Sequence, residues 1–201
     1  GCPVADKGAD RSPCSENEGR MIFTPLPLAG AFRIDLDRRE DARGFFARLF
    51  CAKEFANHGL TTTWVQCNTS LSRTEGTVRG LHFQRPPMAE VKMVRCLKGA
   101  IFDVMVDLRA GSSSFGHWTA LELTAENRSM AYIPEGFAHG FQTLSPETEL
   151  LYFHSQVYSP AHECGLRHDD PRLGIQWPRP VADLSPRDAE HPGLDTLEPI
   201  P

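Results

Sequence analysis

Lys98-Gly-Ala-Ile-Phe-Asp-Val-Met-Val-Asp-Leu108 alternates along its whole length. In an extended strand, successive side chains point to opposite sides. Phe102, Val104, Val106 and Leu108 therefore share one face, and Ile101, Asp103, Met105 and Asp107 share the other. Lys98-Gly99 ahead of the strand reads as a hairpin turn. Two carboxylates on a strand face are tolerable only if that face is wet or the groups are paired. A barrel whose interior holds a polar ligand is one way to meet that condition.

Further short strands flank this one on both sides. Strand-like runs fall at Ala31–Asp35, Gly44–Phe50, Thr62–Asn68, Thr77–Gln84, Val91–Leu97, Trp118–Leu123, Ser129–Ile133, Gly140–Leu144, Glu149–Ser155 and Leu173–Gln176. Only Cys51–His58 reads as helical ahead of the C-terminal region. Sixteen Gly and sixteen Pro punctuate the runs, and this spacing predicts an all-β antiparallel sandwich or barrel. The 201 residues suit one domain. Residues 1–20 are polar and aperiodic and read as a disordered arm, leaving 21–201 as the single folded domain.

Bulk composition narrows the function classes. Hydrophobic residues make up 40% and the formal net charge is −5, whereas a duplex-binding protein normally carries a basic excess. Nucleic acid is therefore not an expected partner, though a local basic pocket for a phosphate is compatible with the charge. No apolar run approaches the ~20 residues a membrane span needs, and residues 1–20 lack the apolar core of a secretory signal. The six cysteines form no CxxC pair, so a zinc site is not expected. A reducing cytoplasm is the default compartment. Cys51, Cys67 and Cys96 lie in apolar contexts and read as small packed hydrophobes.

Three stretches concentrate reactive side chains: Gly76-Thr-Val-Arg-Gly-Leu-His82-Phe-Gln84, Pro134-Glu-Gly-Phe-Ala-His139 and Leu151-Tyr152-Phe-His154-Ser-Gln-Val-Tyr158. The spacings G-x5-H and P-x-G-x-x-H resemble the two cupin half-motifs, which implies a jelly-roll barrel with a few short helices. A metal-binding cupin needs a second His where this chain has Gln84, and an Asn where it has Thr143. Neutral amides bind transition metals far less well than imidazole. A metal-free site is expected, with no cofactor, in which His82 is available as a base near neutral pH.

Longer words narrow the resemblance. Arg79–Gln84, Lys98–Arg109, Phe115–Trp118, Ile133–Phe141 and Asp169–Pro178 are similar, in the same order, to the dTDP-4-dehydrorhamnose 3,5-epimerase family, from roughly Thr24 to Asp188. The resemblance implies a metal-free homodimer that inverts C3 and C5 of a 4-keto-6-deoxy sugar on a nucleoside diphosphate. It implies His82 as base, Asp188 as the carboxylate orienting it, Lys92 at the sugar O4 and Tyr152 as acid on the opposite face. It also implies Tyr158 stacking on the nucleobase, Arg43 and Arg79 at the diphosphate, and Gln66, Asn68 and His139 lining the pocket. His154 has no counterpart in the resemblance and reads as structural.

Two points of spacing bear on this site. Tyr152, His154 and Tyr158 share one face if the strand runs through all three. Arg79 and His82 are three apart, so a regular strand would put them on opposite faces. Both reach one pocket only if the strand is irregular, which Gly80 allows. One departure from the family is Ala47, where the pattern has Glu at the nucleotide end; binding is expected to rest on the diphosphate and Tyr158 more than on base identity. Competing readings are a C3-only epimerase or 3,4-ketoisomerase on the same fold, a metal cupin oxygenase, and a non-catalytic sugar-nucleotide binding module. Gln84 argues against the oxygenase, and the retention of His82 and Lys92 against the binding module.

Overall fold

The structure, a computed structural model, describes residues 20–201; the proposed N-terminal arm lies almost wholly outside the described residues. In chain order the elements are β1 (Met21–Pro25), β2 (Phe32–Leu36), β3 (Arg39–Asp41), β4 (Gly44–Phe46), α1 (Ala52–Asn57), β5 (Gln66–Ser72), β6 (Thr77–Gln84), β7 (Lys92–Lys98) and β8 (Ala100–Asp107). There follow β9 (Trp118–Thr124), β10 (Met130–Ile133), β11 (Phe137–Thr143), β12 (Thr148–His154), β13 (Glu163–Gly165), β14 (Asp183–Leu184), the short helix α2 (Pro186–Ala189) and a 3-10 turn at Leu194–Thr196.

The strands form two facing sheets. The first runs β1-β2-β10-β7-β12-β5, and the second runs β13-β6-β11-β8-β9 with β14 pairing β6 in parallel. From β5 to β8 the chain crosses between sheets at every step, and it does so again from β9 to β13. This is the cupin-like jelly roll expected for an all-β chain of this pattern. Lys98-Gly99 is consequently not a hairpin: β7 and β8 lie in different sheets, and Gly99, at φ +79, turns the corner between them. A Cβ there would lie 2.5 Å from the Ser145 hydroxyl and 2.6 Å from that of Thr148.

Three apolar layers result. The inner one joins Val94, Cys96, Ala131, Ile133 and Leu150 of the first sheet to Ile101, Met105, Leu123, Phe137 and Phe141 of the second. The outer face of the second sheet, with Val104, Val106, Leu108, Leu81 and Phe83, is covered by Leu166, Leu173, Ile175, Leu194 and Ile200. The outer face of the first sheet takes Phe55 of α1, with Met93, Met130 and Tyr132. Both faces of the alternating strand are therefore buried, and its acids are paired. Asp103 bonds His139 at 2.7 Å, and Asp107 bonds Arg109 at 2.7 Å and Ser112 and Ser114 at 2.6 Å each.

Leu173–Gln176 is not a strand. Its alternate burial, Leu173 and Ile175 in and Gly174 out, comes from a turn laid on the outer face. Cys67 is exposed on edge strand β5 rather than packed; Cys96 is buried, and burial pushes its thiol up to about 11. No helix among the described residues is long and apolar enough to cross a membrane.

Candidate active site

One end of the space between the sheets opens into a cavity of about 650 Å³. Strand alternation decides what enters it. Lys92 falls on the same face of β7 as core residues Val94 and Cys96, and Tyr152 and His154 on the same face of β12 as Leu150. Asn68 and Ser70 come from β5, and His139 from β11. All of these line the cavity, as do Arg79, His82, Tyr158, Asp188, Glu90, Glu163 and Arg187.

Arg79 and His82 share the cavity because β6 is irregular. The β6–β11 register pairs His82 with His139 but Arg79 with Phe141, a slip of one residue between them. Gly80 sits at the slip with φ +118. A Cβ at Gly80 would lie 2.6 Å from the Gly140 Cα, so two glycine backbones touch here. On the other edge of β6, β13 pairs with residues 82–84 and β14 with 77–78. The Gly80 N–H falls in the gap and donates to Asp188 Oδ2 at 3.1 Å.

That contact fixes Asp188, which sits on α2, capped by the Ser185 hydroxyl accepting from the Asp188 N–H. Its other oxygen, Oδ1, lies 2.8 Å from His82 Nε2. Burial pushes the Asp188 carboxyl up, but hydrogen bonds from His82 and the Gly80 N–H outweigh it and bring it down to about 2. An ionised carboxylate only accepts, so His82 Nε2 presents its N–H to Asp188, and Nδ1 has no partner among the described residues. The Arg187 guanidinium lies 3.3 Å from the same Nε2 and pairs with Glu163 at 2.8 Å.

On the facing sheet, Lys92 Nζ lies 3.3 Å from the Glu90 carboxylate and donates to the His82 carbonyl at 3.3 Å. The Tyr152 hydroxyl meets Ser70 Oγ at 3.1 Å. Burial pushes the Tyr152 phenol up to about 12, so it keeps its proton at any neutral pH. Arg79 is steadied by the Ser72 hydroxyl at 3.0 Å.

Two expected residues stand apart from the cavity lining. Arg43 lies on the exposed β3–β4 hairpin with its side chain 90% exposed, paired with Asp41. Gln66 sits at the rim, bonding Asn68 and accepting from the Tyr158 N–H. Tyr158 lines the mouth, but from a loop beyond the end of β12, and its hydroxyl donates to Glu163 at 2.6 Å. His154, expected to be structural, is in the wall. The signal for it was available: it follows Tyr152 by two on the same strand face. Glu90, Glu163 and Arg187 come from loops and short elements, where no period points the way.

Gln84 fills the place of a second cupin ligand and is buried. Its amide donates to the Met88 and Val157 carbonyls and accepts from the Ser159 N–H, so both ends are occupied by backbone. Among the described residues, His82, Asp188 and His191 form the one group of three or more His, Cys, Asp or Glu side chains with ligand atoms within 4.8 Å of one another. With the His82 Nε2 proton committed to Asp188 and a guanidinium beside it, that donor set does not favour a cation.

The family model for dTDP-4-dehydrorhamnose 3,5-epimerase matches residues 25–196. The chain belongs to the dTDP-4-dehydrorhamnose 3,5-epimerase family. Within this isomerase family, the enzyme of that name from Sinorhizobium fredii is 44% identical over 88% of this chain and 91% of its own length. A dTDP-4-dehydrorhamnose 3-epimerase from Streptomyces niveus is 40% identical over 85% of this chain and 82% of its own. The solved structure of the Legionella pneumophila dTDP-6-deoxy-D-glucose-3,5-epimerase, in complex with dTDP-4-keto-L-rhamnose, superposes with a TM-score of 0.83. It is 37% identical and covers 89% of this chain and 95% of that one.

Proposed function

We propose that this member of the epimerase family inverts C3 and C5 of a dTDP-linked 4-keto-6-deoxy sugar by acid–base chemistry carried by its own side chains. The observation that supports this most directly is the pairing across the cavity. His82, with Asp188 behind it, comes from the second sheet; Lys92 and Tyr152 come from the first. A C–H next to a ketone is acidic only when the enolate is stabilised, and an ammonium at O4 does that electrostatically. His82 Nδ1 takes the proton, and the resulting imidazolium is balanced by ionised Asp188. Tyr152 then delivers a proton to the opposite face of the carbon, which inverts it. The phenolate regains its proton and the imidazolium loses its own, so the cycle closes with no net change in the enzyme. Lys92 and Arg187 are paired with Glu90 and Glu163, whereas Arg79 bonds only the Ser72 hydroxyl and the Leu71 carbonyl and is the cavity cation best placed to take a diphosphate oxygen.

The same reading makes the protein a homodimer. Arg43 and Phe46, the latter 76% exposed, lie on a hairpin that contributes nothing to the lining of their own cavity. In a dimer that hairpin would be covered, and Arg43 would serve the diphosphate in the partner's cavity. Sedimentation should give twice the chain mass.

The test of function is exchange in deuterated water. Wild type should wash deuterium into C3 and C5 of the dTDP-4-keto-6-deoxy sugar and invert both centres. His82→Asn should lose about 10²–10⁴ in rate. Exchange confined to C3 in wild type would shift the reading to a 3-epimerase, as in the Streptomyces niveus relative, and undiminished exchange in the variant would remove His82 from the chemistry.

A further inference from the structure

Lys92 is held by a carboxylate that is itself the end of a chain of hydrogen bonds. Glu90 Oε1 lies 3.3 Å from Lys92 Nζ, and Oε2 lies 2.8 Å from His154 Nδ1. His154 Nε2 lies 3.3 Å from Asn68 Nδ2, Asn68 Oδ1 accepts from Gln66 Nε2 at 3.2 Å, and Gln66 Oε1 accepts from the Tyr158 N–H at 3.2 Å. The direction of the chain is set at both ends. A backbone N–H can only donate, and an ionised carboxylate can only accept. Every member between them must therefore accept on the Tyr158 side and donate on the Glu90 side. For His154 that leaves one state: neutral, with its proton on Nδ1 and the Nε2 lone pair facing Asn68.

The two titratable members are well covered, with side chains 8% exposed for Glu90 and 14% for His154. Burial acts to neutralise Glu90, but the His154 hydrogen bond and the Lys92 charge hold its carboxyl below the usual range. An ammonium has three N–H donors. Glu90 and the His82 carbonyl take two of them, which fixes where the third can go in the cavity that Lys92 lines.

We propose that Glu90 and His154 are positioning residues for Lys92: the directed chain running from the Tyr158 backbone presents one immobile carboxylate to the ammonium, and so aims its remaining donor at the sugar carbonyl. The kinetic part rests on the reading of Lys92 given above; the proton placement on His154 does not. Tyr158 is also the residue assigned to the nucleobase, so the chain joins the nucleotide end of the cavity to the reacting end.

Histidine-15N NMR of the full-length protein, with the His154 signals assigned by their loss in His154→Gln, reads the tautomer directly. Wild type should show His154 neutral with the proton on Nδ1. Glu90→Gln keeps the shape but adds a donor. If its oxygen still accepts from Lys92, its NH₂ meets Nδ1 and drives the proton to Nε2, against the Asn68 donor. The variant should show that switch and lose about 10- to 100-fold in kcat, the scale of a misplaced group, with KM within about threefold. Glu90→Asp, which remains acceptor-only, should keep the Nδ1 proton and recover part of kcat. A wild-type His154 that is cationic or protonated on Nε2, or a Glu90→Gln protein with unchanged kcat, overturns the proposal. If Lys92→Ala itself turns over normally, the reading of Lys92 has failed, while the tautomer result stands or falls separately.

Discussion

Asp188 shows what a single side chain can be asked to do at this site. Its carboxyl stands at about 2 in the folded chain, against ~3.9 for an unperturbed Asp. Its contribution to stability is therefore complete above about pH 4 and drains away as pH falls through about 2, on the order of 2 kcal/mol. Asp188→Asn should flatten the acid limb of a denaturation series by about that amount. It should also cut turnover by about 10³–10⁴, because an amide can donate to Nε2 and push the imidazole proton onto Nδ1. Tyr152→Phe isolates the other proton. It leaves the ring packing and removes one hydroxyl, so the variant should still wash in deuterium through His82 while inverting C5 poorly. Product stereochemistry by NMR decides it, and C5 inversion at the wild-type rate would take Tyr152 out of the role of acid. His82, Lys92 and Tyr152 all fall in strand-like runs of the sequence, but their roles, and that of Asp188 on the short helix α2, come from the resemblance and not from spacing. His154 falls on the Tyr152 face by the period of two, although the resemblance gives it no counterpart. Glu90 and Arg187 are not legible in that way, since loops and a single-turn helix impose no period.

Among the elements, β6 carries the most consequence. Its bounds, Thr77–Gln84, follow from the sequence without change, and the need for an irregularity at Gly80 follows from Arg79 and His82 being three apart. What the sequence does not disclose is that the break in pairing at Gly80 is also the anchor for Asp188. Gly80→Ala would place a Cβ 2.6 Å from Gly140 and 2.8 Å from the His139 carbonyl, at a φ that L-residues avoid. We expect a loss of at least ~2 kcal/mol, visible as a fall of about 4–8 °C or more in Tm, with activity lost beyond what the unfolded fraction explains. A Tm within a degree of wild type would mean that β6 can shift to make room. The strands missing from the sequence reading are β1, β3, β13 and β14; the last three are only two or three residues long, too short to show alternation. Leu173–Gln176 errs the other way: its buried positions alternate, but it pairs with nothing, since alternation reports burial and not hydrogen bonding.

For the molecule as a whole, the jelly roll is specified by crossings that local patterns do not show. Lys98-Gly99 looks like a hairpin because a Gly between two strands usually makes one; only the sheet partners of β7 and β8 reveal a corner. The outer cover of the second sheet is likewise built from distant pieces. Leu194 is buried against that sheet, and the Ile200 backbone bonds Leu108 at 2.8 Å and Ala110 at 2.6 Å. Leu194→Ala should cost about 2–4 kcal/mol, read from urea unfolding at constant slope, whereas a surface position would cost under about 0.5 kcal/mol.

The dyad joins residues 106 positions apart. At ~5–20 residues per second of synthesis, His82 is added to the chain about 5 to 20 s before Asp188. Through that interval the β6 edge waits for β13 and β14, the Gly80 N–H has no carboxylate to hold, and the imidazole has nothing to set its tautomer. On the proposed reading of His82 as the base, a nascent chain carries it without its orienting partner, and turnover waits until the last part of the wall has closed over it.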